Sequence, residues 1–279
     1  VAPAAERTLT HGLHAVPAPA RVVIDGELGE WDRSGAMISC KDPETLLNVE
    51  SARVHAMWDR LNLYVGIEWR DPTPMQNNVD PETMPGNGWR SDCVQLRCNM
   101  AGFVSHVDCW YYTPGKRPAM TIHYGRFDVQ GGGQPKVDRP LYPEKLGAEQ
   151  AFRLSADGKG YVQEIKLPWA VITLDGKMPP RDADLRLGVE LFWGDVTADG
   201  WPRSRIADNV LEGETQTDFF WTNTKAWGRL ILEEKGNLAL PAPAWMRAKR
   251  SEPEGPVEIR FGLQKDSFVT IAVEDADGN

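Results

Sequence analysis

The sequence has no run of about 18 apolar residues, the length a helix needs to cross a bilayer, so no helical membrane span is expected. It also has no basic surplus. Its 31 Lys and Arg face 40 Asp and Glu, for a formal charge of −9, which argues against nucleic acid as the natural partner. Cysteine is scarce: Cys40, Cys93, Cys98 and Cys109 form no CxxC, no CxxCH and no zinc spacing. Cys93 and Cys98 lie five apart, so on one strand they point to opposite faces. Pairing of Cys93 with Cys109 across neighbouring strands stays open, beside free buried thiols. Five histidines (His11, His14, His55, His106, His123) make no HExxH. Gly131-Gly132-Gly133 does not lead from a strand into a helix, so it implies no phosphate cradle.

Long helical periods are missing as well, and what remains is strand alternation. In 53–58, Val54, Ala56 and Trp58 share one face, with Arg53, His55 and Met57 on the other. The turn Asp59-Arg60-Leu61-Asn62 reverses the chain into 63–69, where Leu63, Val65, Ile67 and Trp69 again share a face. A short strand is expected at 21–24 before the Asp25-Gly26 turn. Further strands are expected at 92–98, 103–112, 119–124, 150–154, 160–167, 185–193 and 228–233, with short helical turns at 42–48 and after Pro168. Long loops fall at 71–88, 125–148 and 195–217, and loops of that length fold on themselves or carry function. The pattern predicts an all-β fold, a two-sheet antiparallel β-sandwich. Residues 1–20 read as an N-terminal extension, 21–235 as the sandwich and 236–256, with its Pro-rich ends, as a linker. Residues 257–279 are two strands and a turn, too few to bury a core, and are expected to begin a further domain.

Tryptophan is abundant, 11 in 279 residues. Trp89 opens the strand-like run Trp89-Arg90-Ser91-Asp92-Cys93-Val94-Gln95-Leu96-Arg97, and Trp221 begins a similar segment near the end of the domain. His106, Asp108 and Trp110 alternate along one strand face and are expected to line a cleft together. Carboxylates at Asp71, Asp80, Glu82, Asp92, Asp108, Glu164, Glu190, Asp195 and Asp199 carry no signature of a paired hydrolytic site and read as solvated surface. Asp71 and Asp80 lie in an acidic, turn-rich loop of the kind that can hold a structural Ca²⁺.

Several motifs occur in order: Ile24-Asp25-Gly26-Glu27-Leu28-Gly29-Glu30-Trp31, Met57-Trp58-Asp59, Leu63-Tyr64-Val65, Trp89 to Leu96, Glu164-Ile165-Lys166-Leu167-Pro168-Trp169, and Trp227-Gly228-Arg229-Leu230. Together they resemble family 9 carbohydrate-binding modules and their DOMON-like relatives over about 21–233. The resemblance implies a non-catalytic module that grips a sugar between two tryptophans, matched here by Trp89 and by Trp221, seven residues before Gly228. Flat aromatics suit the apolar faces of a sugar ring, and polar neighbours suit its hydroxyl rim. Gln95, Arg97, Asp218, His106 and Asp108 are the candidates for that rim. Gln95 stands where the family has a carboxylate, and Phe192-Trp193 where it uses an amide.

A second resemblance competes. Trp110-Tyr111-Tyr112-Thr113-Pro114-Gly115-Lys116-Arg117-Pro118-Ala119-Met120 is similar to a segment of the haem-b subunit of ethylbenzene dehydrogenase. That implies iron held by Met and Lys, with Met75, Met120 and Lys225 the candidates by residue type. A structural module with its aromatics simply buried is the third reading. The opening of 257–279 resembles FlgD-type Ig-like modules of secreted bacterial proteins. The start Val1-Ala2-Pro3-Ala4-Ala5 reads as the end left by removal of an export signal. A secreted, periplasmic or cell-surface multidomain protein is therefore expected, with a poly- or oligosaccharide as partner, no nucleic acid and no membrane span.

Overall fold

The structure, a computed structural model, describes residues 12–125, 137–195, 201–211 and 223–240, together with the backbone of 6–9. Val1–Pro241 forms one compact unit, and the segment 257–279 falls outside the described residues. Thirteen strands follow in chain order: β1 Glu6–Leu9, β2 Leu13–Pro17, β3 Met37–Cys40, β4 Ser51–Trp58, β5 Asn62–Arg70, β6 Cys93–Met100, β7 Phe103–Tyr112, β8 Arg117–Tyr124, β9 Glu149–Leu154, β10 Gly160–Pro168, β11 Leu185–Trp193, β12 Ser204–Val210 and β13 Leu230–Leu232. The one α-helical turn among them, α1 Trp169–Ile172, follows Pro168. The segment 42–48 makes turns only.

Two sheets stack as a sandwich. One runs β1-β12-β11-β6-β7-β8; the other runs β13-β2-β4-β5-β10-β9, with β3 also on β4. Pairing is antiparallel except at three places, where β1 meets β12, β13 meets β2 and β2 meets β4. Two strands from within residues 1–20 thus belong to the sheets. Strand β12 lies in the stretch 195–217 that sequence pattern assigned to a loop. Its residues Ser204-Arg205-Ile206-Ala207-Asp208-Asn209-Val210 run in polar and apolar pairs, so no two-residue period marks the strand.

The core lies between the sheets. Val54, Ala56, Leu63, Val65, Ile67, Ile165 and Leu167 of one face Val94, Leu96, Val107, Val189 and Leu191 of the other. Burial of each such side chain is worth about 1.5–3 kcal/mol. Trp69 stacks on Tyr161 at 5.4 Å and meets Trp193 edge-on at 5.2 Å.

The outer side of the β4-β5-β10 sheet is also covered. Val16, Leu28, Trp31, Met57 and Tyr64 pack there, with Val22 and Ile24 against them. Glu164, buried on β10, anchors this cover. Its carboxylate accepts the N–H groups of Asp25 (2.8 Å) and Gly26 (2.5 Å) and the indole N–H of Trp31 (2.7 Å). The segment 21–24 is no strand of either sheet, and the Val23 N–H donates to the Glu30 side chain instead. The ordered Asp-Gly…Trp and Glu164 motifs are therefore one structural clasp.

All four cysteines are free and buried. In register Val94 faces Cys109, so Cys93 and Cys109 point to opposite sides of the sheet and do not pair.

Candidate binding face

The side of the β12-β11-β6-β7-β8 sheet turned away from the core carries three cross-strand rungs. Register places Arg205, Phe192, Cys93, Trp110 and Ala119 on the first. Glu190, Gln95, Asp108 and Thr121 form the second, and Gly188, Arg97, His106 and His123 the third. The alternation of His106, Asp108 and Trp110 does put all three on this face.

The second and third rungs hold a directed hydrogen-bond network. Glu190, fully buried, takes Arg97 Nε on Oε2 at 2.8 Å and Arg205 Nη2 on Oε1 at 2.8 Å. Arg97 also donates to Gln95 Oε1 and, at 3.2 Å, to His106 Nδ1. The Gln95 amide donates to Asp108 Oδ1 at 2.6 Å. His106 Nε2 lies 3.2 Å from the carbonyl of Gly125. That partner set assigns the neutral ring, with Nδ1 accepting and Nε2–H donating. Burial, then the Arg97 charge, pushes His106 well below the usual imidazole range. Glu190 sits below the usual carboxylate range: burial raises it, and the two guanidiniums outweigh that effect. Burial pushes Asp108 up to about 7, against the opposing pull of Arg97 and Gln95. The expected sugar-rim residues Gln95, Arg97, His106 and Asp108 are thus brought together. Glu190 and Arg205 join them, though the pattern gave them no role. Each of the first four is 5% exposed or less, so the network is a floor beneath the site rather than its contact surface.

The loop 71–92 folds across one end of this face. Asn77 pins it, donating to the carbonyls of Gly88 (2.7 Å) and Asp92 (3.0 Å) and accepting the Val79 N–H. The Val79 carbonyl accepts the indole N–H of Trp110 at 2.9 Å. Gly88 lies on Trp110, where a Cβ would stand 2.6 Å from the indole and 3.2 Å from Cys93 Sγ. At the other end Trp227 stands edge-on to His106, 5.5 Å between centroids.

At the mouth Trp89 is half-buried, packed on the cluster of Val79, Cys93, Trp110, Ala119 and Phe192. Its partner among the described residues is Trp201, 48% exposed, at 5.0 Å and a 45° tilt. The Arg90 guanidinium lies 5.4 Å from the Trp89 ring centroid. Trp221 and Asp218 fall outside the described residues. The sequence signal for Trp201 was a tryptophan set among Asp199, Gly200 and Pro202, where a loop rather than a core strand is expected.

The expected cation and haem ligands do not assemble. Asp71 is buried against Asp92 and takes Arg203 Nη2 at 3.3 Å, so a guanidinium stands where a cation would. Asp80 accepts the Glu82 N–H of its own turn. No group of three His, Cys, Asp or Glu able to hold a metal occurs among the described residues. Met120 lies in the inter-sheet core, Met75 packs at its edge and Lys225 is exposed, so no thioether and amine face each other across a pocket as haem ligation requires. Nor are the carboxylates mostly solvated, since Asp71, Asp92, Asp108, Glu164 and Glu190 are buried.

A structure of similar fold is already known. A family 9 carbohydrate-binding module from Caldicellulosiruptor kristjanssonii, in complex with cellotriose, superposes with a TM-score of 0.50. The match covers 82% of this chain and 97% of that one at 16% identity. The two share a fold. The same organism's module in complex with glucose gives a TM-score of 0.49, 17% identity, and coverage of 82% and 100%. No family model matches the chain, and no curated protein does.

Proposed function

We propose that this chain is a non-catalytic carbohydrate-binding module of an exported, multidomain protein, taking a poly- or oligosaccharide at the Trp89–Trp201 mouth. One observation carries this reading. Two indoles, one half-buried and one 48% exposed, stand 5.0 Å apart at an apolar rung that borders a buried polar network. Exposed tryptophan normally stays single and scattered, and a contiguous exposed aromatic patch marks a binding surface. Indole faces supply contact area to a sugar's C–H face, while Trp89 is held by its packing and so loses little freedom on binding. The cellotriose and glucose complexes of the modules sharing the fold agree with this chemistry. Trp221 and Asp218 enter the proposal on the sequence resemblance alone, as a further wall and acceptor.

Affinity electrophoresis in gels cast with a panel of soluble polysaccharides tests the reading. Wild-type protein is expected to be retarded by at least one, and Trp89→Ala and Trp201→Ala to migrate freely. Stacking is worth about 1 kcal/mol per aromatic pair beyond the area buried, so each truncation should weaken binding roughly tenfold or more. Retardation of both variants equal to wild type would overturn the assignment.

A further inference from the structure

Three guanidiniums, those of Arg90, Arg97 and Arg205, belong to this face and its rim. Glu190 has both oxygens occupied, Oε1 by Arg205 and Oε2 by Arg97. One ionised carboxylate therefore faces two guanidiniums. His106 is neutral, and burial holds Asp108 near half-protonation at pH 7. Arg205 spends Nε and Nη2 on Glu190 and lies 5.7 Å over the Phe192 ring, with no partner at Nη1 among the described residues.

Arg90 adds a third cation. Its Nε is buried without a hydrogen-bond partner, and no carboxylate lies within ion-pair distance among the described residues. Its guanidinium lies 5.4 Å from the Trp89 ring centroid. An arginine left unpaired in a chain with nine more acidic than basic residues is unexpected unless something else supplies the anion. Arg90 follows Trp89 in the turn whose Gly88 lies against Cys93 and Trp110, on the rung that Arg205 ends.

Resting on the proposed saccharide site, we infer that its ligand is an acidic saccharide of the uronate type, with Arg90 the specificity-determining residue. The planar guanidinium fork matches a carboxylate with two parallel N–H···O bonds, a geometry that neutral hydroxyls do not fill. The overall negative charge does not oppose this at physiological salt. Charges more than about 8 Å away are largely screened, so the unpaired Arg90 guanidinium governs a ligand already at the mouth.

Isothermal titration of the full chain with trigalacturonic acid, its methyl ester and cellotriose tests the inference. The ester keeps the rings and removes the charge. The acid is expected to bind at least tenfold more tightly than the ester or cellotriose, and to weaken as NaCl rises from about 50 to 500 mM while ester binding changes little. Arg90→Gln should narrow the acid-to-ester ratio at least fivefold. Arg153→Gln, on the other sheet, should leave that ratio unchanged. Equal binding of acid and neutral sugars by wild type would overturn the inference and leave the saccharide site standing. An unchanged ratio in Arg90→Gln would overturn the role of Arg90. Failure of all three sugars, and of the polysaccharide panel, would remove both readings.

Discussion

Asp108 shows how one residue sets a measurable property of the face. Burial lifts its carboxyl from 3.8 to about 7, so the folded protein keeps a proton that the unfolded chain releases near pH 4. Stability therefore falls as pH climbs from about 4 to about 7 and is flat above. Between pH 5 and pH 8 the loss from this group is on the order of 3 kcal/mol. Asp108→Asn keeps an acceptor for Gln95 without a titrating proton. Its melting temperature is expected to vary less than wild type across that interval, and to exceed it at pH 8. Melting curves that stay parallel for the two proteins across pH 5–8 would show that Asp108 does not carry the shift.

The informative element is β10 with the cover it anchors. Glu164 satisfies three donors in the segment 25–31, and each hydrogen bond to a charged acceptor is worth about 1.5–3 kcal/mol. Glu164→Gln keeps the shape but turns an amide donor toward either the two backbone N–H groups or the Trp31 indole N–H. It should lower the urea midpoint by an amount equivalent to about 2 kcal/mol or more, with the denaturant slope unchanged. A midpoint within a few tenths of a kcal/mol of wild type would mean that hydrophobic packing of Leu28 and Trp31 holds the cover without the carboxylate. The Asp-Gly…Trp motif gave the location of this element in the sequence, and Glu164 supplied its distant partner. The link between them, across more than 130 positions, has no trace in local pattern.

At the scale of the whole molecule, Asp71 and Asp92 join three segments around the mouth. Asp92 accepts the N–H groups of Gln76 (2.8 Å) and Gly194 (2.7 Å), and Asp71 accepts that of Thr73 (2.9 Å). The two carboxyls lie against each other, and Asp71 Oδ2 is buried with no other partner among the described residues. Burial first, then mutual repulsion, raises Asp92 well above the usual range; burial raises Asp71 despite the pull of Arg203. The pair thus retains a proton that the unfolded chain gives up, and stability again declines as pH rises above the ordinary carboxylate range. Arg203, itself paired with Glu50, limits the decline, and the Tyr161 hydroxyl beside the pair stays protonated. Asp71→Asn lets an amide donate to Asp92 in place of the shared proton. Its loss of stability between pH 5 and pH 8 should be smaller than wild type's, read by urea titration at each pH. A pH dependence identical to wild type would rule the pair out as its source.

The sequence by itself determined the strands with a clear two-residue period, such as 53–58, 63–69 and 185–193, because alternation reports which side of a sheet is buried. It also placed His106, Asp108 and Trp110 on one face, since neighbours two apart on a strand must share a side. It could not find β2 or β3, whose short runs gain stability from pairing, β2 with β4 and β13 and β3 with β4. It could not distinguish buried carboxylates from solvated ones either, because burial depends on which distant chain covers a residue. Only tertiary structure brought Glu190 and Arg205 beside Gln95 and Arg97 and set Trp201 against Trp89. Those meetings depend on strand order and cross-strand register, and both are fixed by contacts between residues about a hundred positions apart.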